Sequence, residues 1–279
     1  MKYQNKNIFL KAIFFTIIFF YSISIFAQNE DNYAGARSSG MGKAGVTLSD
    51  IWAVFNNPAG TSDINGYAVG AFYENRFLMK ETGYAALAFS CPLFSGNINF
   101  GATYFGYSLF SQNKIALGYS QQLFRNFSMG LQINYFSTRQ GEYYGNFNGL
   151  TFDLGFLYKP IEGLSLGGYV FNPINVGYFE NSKIKMPLAL KFGISYLFSK
   201  KLLLAVETGK AINGYIPIFK TGIEYTLRNI FVFRGGFSVK PVEFSAGFGY
   251  KNEHLHVDIA YSYHQILGST PKLSVSYEF

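Results

Sequence analysis

Lys272-Leu273-Ser274-Val275-Ser276-Tyr277-Glu278-Phe279 ends the sequence. In an extended strand Leu273, Val275, Tyr277 and Phe279 share one face, and Lys272, Ser274, Ser276 and Glu278 share the other. Strict alternation of this kind, with a greasy aromatic face running to a free aromatic end, suits a strand whose outer side meets lipid and whose inner side does not. It predicts an all-β chain folded as a transmembrane antiparallel β-barrel, with Tyr277 and Phe279 as its assembly signal.

The other end of the sequence agrees. Lys2, Lys6 and Lys11 form a basic stretch, and Ala12 to Phe26 is an apolar run broken only by Thr16, Ser22 and Ser24. Ala27 then precedes the polar Gln28-Asn29-Glu30-Asp31, which predicts a secretory signal over residues 1–27. No cysteine lies near this site, so a lipid anchor is not expected. Removing the signal takes three lysines and no acid, lowering the net charge from +7 to a mild +4 that does not point to nucleic acid. Aromatics at 19% against charges at 14% make the chain too greasy for an ordinary water-soluble domain. The lone Cys91 excludes a disulfide framework and a thiolate metal cluster, and no cofactor is expected.

From Gly66 onward about fourteen segments alternate, each close to the ~9–11 residues a tilted strand needs to cross the hydrocarbon core. The expected spans are 66–77, 82–92, 96–106, 114–123, 127–137, 150–159, 164–171, 187–198, 202–210, 218–227, 230–238, 243–250, 255–264 and 271–279. Phe127, Met129, Leu131, Ile133 and Tyr135, for example, oppose Ser128, Gly130, Gln132 and Asn134. Connections after even-numbered segments are short, as at Phe124–Asn126 and Arg228–Asn229. Those after odd-numbered segments are mostly longer, notably Thr138–Gly149 and Asn172–Met186. Short periplasmic turns and longer outer loops predict an outer-membrane location with both termini in the periplasm. Tyr119, Tyr196, Tyr225 and Tyr250 each precede a tight turn, where an amphipathic ring belongs at the headgroup level.

Residues 28–65 do not alternate and are expected to form an N-terminal plug inside a barrel of residues 66–279. A barrel near fourteen strands has a lumen its own side chains cannot fill. Ser49-Asp50 can cap one helical turn running to Phe55, and Asn57-Pro58 would stop it. Gly40, Gly42 and Gly45 match a dinucleotide-binding glycine pattern but lack the strand that must precede it. The stretches Gly35-Ala36-Arg37-Ser38-Ser39-Gly40-Met41-Gly42, Ala44-Gly45-Val46 and Trp52-Ala53-Val54-Phe55-Asn56-Asn57-Pro58-Ala59-Gly60 resemble the N-terminal signature of the PorV/PorQ family of outer-membrane proteins. That family is in turn similar to FadL-type transporters of hydrophobic compounds, which share an Asn-Pro-Ala element in an N-terminal hatch. The resemblance covers about residues 33–60. It implies a plugged barrel whose plug motif is Arg37, Gly40, Gly42, Gly45, Trp52, Asn56, Asn57 and Pro58. It also implies an accessory role in type IX protein secretion. The chain departs from PorV-type proteins in being short, with only two substantial outer loops.

Inward-facing charges gather in the C-terminal half at Lys191, Glu207, Lys220, Glu224, Arg234, Glu243 and Asp258, with Glu278 and Lys272 beside them. Their mixed signs on neighbouring strands predict cross-strand pairs or pairs with Arg37 or Lys43 of the plug. His256, Asp258, Ser262 and His264 share a strand face and invite comparison with barrel hydrolases. Residues six apart on a strand lie roughly 20 Å from each other, however, and Ser262 and His264 point outward in parallel. A nonenzymatic accessory protein of secretion or outer-membrane assembly, with outer-membrane lipid and secretion-apparatus proteins as partners, is the first reading. The alternative is a FadL-like transporter of a hydrophobic small molecule, and a remote alternative is a lipid hydrolase. Inward positions read mainly as Gly, Ser, Thr and charges, with Leu157, Tyr169, Phe171, Leu197 and Leu203 as exceptions, which weighs against a hydrophobic conduit.

Overall fold

The computed structural model describes residues 33–141, 146–174, 188–211 and 217–279. The expected signal, Gln28–Asn32 and most of the Asn172–Met186 connection lie outside the described residues. The barrel half nearer the N-terminus comprises β1 (Ala68–Asn75), β2 (Gly83–Leu93), β3 (Gly96–Tyr107), β4 (Phe110–Phe124), β5 (Phe127–Gln140), β6 (Asn146–Tyr158) and β7 (Leu164–Phe171). The other half comprises β8 (Ala189–Phe198), β9 (Leu202–Ala211), β10 (Ile218–Leu227), β11 (Phe231–Val239), β12 (Glu243–Lys251), β13 (Leu255–His264) and β14 (Gly268–Glu278). Each strand pairs antiparallel with the next, and β1 pairs with β14 through Val69↔Tyr277 and Ala71↔Val275 to close the ring. Closure leaves no open sheet edge at membrane depth, where an unpaired peptide group would cost several kcal/mol.

Period-two alternation locates the strands well because lipid reads only one face. Three expected segments, 164–171, 218–227 and 255–264, coincide with β7, β10 and β13. β4, β5 and β6 outrun their expected spans by three or four residues at one end and run 15, 14 and 13 residues. Their polar ends, such as Ser111-Gln112-Asn113 and Ser137-Thr138-Arg139-Gln140, continue the hydrogen-bonded ladder past the apolar band. Thr138–Gly149 is therefore not a long loop: Thr138–Gln140 belong to β5 and Asn146–Gly149 to β6. The loop-length asymmetry is correspondingly weaker than expected, since β3 and β4 are joined by Ser108-Leu109 alone. A ladder needs no apolar side chains, so hydropathy alone underestimates strands that outrun the bilayer.

The outward face is apolar around the ring, with Leu131, Ile133, Phe192, Ile194, Phe233 and Ile259 among its exposed side chains. Rings crowd the rim of the even-numbered turns. Tyr196 and Phe198 lie 4.5 Å apart, Tyr277 and Phe279 4.7 Å, and Phe231 stacks on Phe248 at 6.0 Å. Tyr196, Tyr225 and Tyr250 are exposed there, whereas Tyr119 is half-buried.

Residues 33–65 carry helix α1 (Ala36–Gly40), helix α2 (Ala53–Asn56) and a 3-10 turn over Pro58–Asp63. Asp50 Oδ1 accepts the Trp52 amide ahead of α2. Asn57, extended at φ −164°, breaks the helix, and its side chain caps Ala59 N to start the 3-10 turn. α1 packs on β11–β14 and the 3-10 turn on β3–β6, so the segment touches opposite sides of the ring. The wall is glycine where backbone meets backbone. A β-carbon on Gly236 would stand 2.0 Å from the Gly42 nitrogen, and one on Gly130 would stand 2.5 Å from the Ala59 nitrogen. Outward-facing Gly235, by contrast, would meet only Ile223 at 3.5 Å. Gly236→Val should therefore destabilise the barrel by about 2 kcal/mol, in the usual range for forced overpacking. Gly235→Val should change it by less than about 1 kcal/mol. Urea unfolding in lipid vesicles compares the two, and equal effects would mean that the segment does not press on the wall.

Candidate functional site within the barrel

The interior divides into two arcs of different chemistry. On β9–β14 it is ionic. Glu224 of β10 takes Arg37 in a two-pronged pair, Nε to Oε2 at 2.9 Å and Nη2 to Oε1 at 2.7 Å. Arg234 of β11 donates to the same carboxylate at 2.6 Å and to Asp258 of β13 at 2.7 Å. Arg37 also reaches Asp50 within its own segment at 3.2 Å. Beside this chain, Lys43 pairs with Glu243 at 2.8 Å, and Lys272 lies 3.8 Å from the other oxygen of that carboxylate. Glu207 accepts the Gly45 and Val46 amides at 2.8 and 2.9 Å and Lys220 at 3.1 Å. Fork-shaped guanidinium–carboxylate pairs add directional strength to charge, so they fix position as well as energy.

Across the ring the same segment is held mainly by neutral groups, with one ion pair from Asp63 to Lys159 at the rim. Asn57 Nδ2 donates to Val46 O at 2.7 Å and to the wall carbonyl of Phe156 at 3.0 Å. Asn97 Nδ2 donates to Thr61 O and Ile64 O, each at 2.8 Å, and Thr61 Oγ1 bonds Ser120 Oγ at 2.8 Å. Trp52 packs edge-on to Phe72 at 5.9 Å over a wall of Ala68, Gly70, Ala86 and Ala88.

At the odd-turn end of β1–β7 the inward side chains are aromatic. Phe105 and Phe110 meet at 6.3 Å. Phe136 of β5 and Phe171 of β7 meet at 6.0 Å across the intervening β6, where Phe136 faces Gly149. All four are half-buried. Phe72 and Tyr84, buried beneath, continue the surface down to Trp52. Two cations sit among these rings: Lys114 Nζ lies 5.5 Å from the Phe136 centroid and 6.0 Å from that of Phe55, and Arg76 lies 5.0 Å from both Tyr84 and Phe105. Attraction of a cation to a ring face is worth about 0.5–2 kcal/mol and keeps these charges on the wall. The expectation of an interior mainly of Gly, Ser, Thr and charges is thus corrected for this arc.

Of the residues singled out from sequence, Glu207, Lys220, Glu224, Arg234, Glu243 and Asp258 lie buried on the ionic arc. Lys191 is buried apart from them on β8, its Nζ 5.4 Å from the Tyr169 ring. Within the motif, Arg37 pairs with the wall, Gly40 meets Gly247, Gly42 meets Gly236, the Gly45 amide meets Glu207, Trp52 covers Gly70, and Pro58 lies on Gly130. Asn56 is buried and bonds within the segment. Its Nδ2 donates to Ala34 O at 3.2 Å, tying the segment to itself. These residues are buried against the barrel, apart from the part-exposed Arg37. Phe279 is exposed at the rim, its amide donating to Tyr67 O at 2.8 Å.

Four inward charges escaped the sequence-based set of the ionic half. Glu74 accepts Tyr33 OH at 2.9 Å and also pairs with Arg76; Arg76 itself, Lys114 and Asp153 complete the group. The alternation Lys114-Ile115-Ala116-Leu117-Gly118 carried the signal for Lys114. Ser262 Oγ accepts Lys272 Nζ at 2.8 Å, and His264 Nδ1 accepts the Ile266 and Leu267 amides at 3.1 Å each. Among the described residues no three His, Cys, Asp or Glu side chains converge as metal ligands.

No protein-family model and no curated protein sequence matches the chain. Solved structures do. The toluene transporter TbuX of Ralstonia pickettii superposes with a TM-score of 0.70 at 14% identity, over 90% of this chain and 99% of that one. The toluene transporter TodX of Pseudomonas putida gives 0.68 at 15% identity over 90% and 99%. A FadL homologue of Pseudomonas aeruginosa gives 0.64 at 12% identity over 88% and 98%. The chain thus has the fold of FadL-type outer-membrane barrels.

Glu224 is the hinge of the ionic arc because two guanidinium groups share it. Glu224→Gln leaves both partly unpaired in a dry interior and should destabilise the protein by about 3 kcal/mol. Urea unfolding in vesicles measures this. A change below about 1 kcal/mol would mean that solvent already screens the network.

Proposed function

We propose that this protein is an outer-membrane channel for small hydrophobic, ring-containing molecules, acting without a chemical step and closed at rest by residues 33–65. The aromatic arc is the observation that carries the reading: half-buried Phe105, Phe110, Phe136 and Phe171 offer ring faces at one mouth of a barrel whose other arc anchors the segment. An apolar solute gains from leaving water for such a surface, and each ring contact adds about 0.5–1.5 kcal/mol. The toluene transporters among the structural neighbours support the same class of cargo. The order of readings drawn from sequence is therefore reversed. The secretion-accessory reading rested on a motif that is taken up in packing against the wall, so that motif says nothing about a partner.

The channel should lie with its odd-numbered turns outward and both termini in the periplasm. A cysteine at Leu109 should react with an impermeant thiol reagent on intact cells, and one at Asn229 should not. The opposite pattern would invert the orientation.

Replacing both Phe136 and Phe171 by Ser should slow uptake of toluene into cells or proteoliposomes about tenfold, the product of two lost ring contacts. Barrel abundance should be unchanged. Uptake equal to wild type, with the double variant correctly folded, would overturn the reading.

A further inference from the structure

We propose that the even-turn rim of β4–β7 holds one anionic phospholipid, an acyl chain lying in a groove on the outer wall and the phosphate at Arg125 and Asn126. The inference rests on the wall being lipid-facing and is independent of what crosses the lumen.

The groove has a volume of about 520 Å³ and is lined by Phe124, Asn126, Phe127, Phe156, Tyr158 and Leu166. Its shape has local causes. The β4–β5 ladder slips between Gln122 and Phe124, which sets Phe124 opposite Phe127 with their rings 6.4 Å apart. Phe127 in turn meets Tyr158 at 6.4 Å, forming one bank. On β7 the residue opposite Phe156 is Gly168, where a β-carbon would stand 2.2 Å from the ring. Phe156 therefore lies flat over bare backbone, and a trough remains between it and the bank.

The groove is continuous with the apolar band of the barrel, so the solvent that reaches it is hydrocarbon. It is also polarised. Five lining residues are aromatic or aliphatic, and the sixth, Asn126, sits at the turn. Charge at that turn is unbalanced. Lys159, whose amide donates to Asn126 O at 2.8 Å, is neutralised by Asp63, and Lys200 pairs with Glu162 at 3.5 Å. Arg125, exposed between Phe124 and Asn126, has no ion pair among the described residues. An acyl chain ending in a phosphate matches this sequence of apolar trough, amide and guanidinium.

The test places a fluorophore at the groove. Phe124→Trp is reconstituted in phosphatidylcholine vesicles doped with either brominated-chain phosphatidylglycerol or brominated-chain phosphatidylcholine as quencher. Trp52, 2% exposed inside the barrel, supplies a constant background. The apparent binding constant at position 124 should favour phosphatidylglycerol about fivefold, the preference one interfacial cation confers. Adding Arg125→Gln should bring the ratio to about one. Leu93→Trp, on the outer face at the end of β2 beside the uncharged Phe94-Ser95 turn, should show no preference. Equal constants for the two lipids at position 124, or a preference that survives Arg125→Gln, would overturn the proposal. Absence of quenching at both positions would overturn it too, by removing the lipid-facing wall on which it stands.

Discussion

A bilayer offers no water to a peptide group, and that constraint organises this molecule from the outside inward. Along the wall it is met by pairing every strand with two neighbours and sealing β1 to β14. Residues 33–65 cannot meet it in that way, because they are mostly irregular. Their amides and carbonyls instead find side chains: Glu207 for the Gly45 and Val46 amides, Asn97 for the Thr61 and Ile64 carbonyls, Ser274 for the Ala36 amide. The inward faces of the strands are polar because the segment needs them to be.

The division of labour between the arcs follows. Charged partners of the segment concentrate on β9–β14, where Arg37 and Lys43 enter, while the other side holds it mainly by neutral hydrogen bonds and one rim ion pair. The β1–β7 arc holds its charges, Glu74, Arg76, Lys114 and Asp153, away from Arg37 and Lys43, and it is aromatic near its mouth. Buried ion pairs contribute little net stability against well-packed apolar groups, but they are intolerant of displacement. Such a network suits a part whose position matters more than its binding energy.

Much of this was legible in the sequence, for identifiable reasons. Lipid imposes period two on each strand, so fourteen strands emerge from alternation alone, and Glu224, Arg234 and Asp258 reveal their side by opposite parity. Their partners do not emerge, since Arg37 and Glu224 are 187 positions apart and no periodicity links them. The strand ends at Gln140 and Asn146 were hidden because the ladder continues beyond the apolar band. Phe136 was hidden for a subtler reason. Its parity with Ser128, Gly130, Gln132 and Asn134 marks it as inward, yet an aromatic residue near a strand end reads equally well as part of the interfacial girdle. Composition distinguishes lipid from water, and it cannot distinguish a ring that faces lipid from one that faces a lumen.

The close approach of Gly236 to Gly42, and of Gly130 to Ala59, bears on which residues of such a chain can change. On the outer wall one apolar residue serves nearly as well as another, so most of that surface is free to drift. Where wall and segment touch backbone to backbone, neither partner can change alone. The constraint is therefore written in pairs of small residues distant along the chain, and no single position displays it.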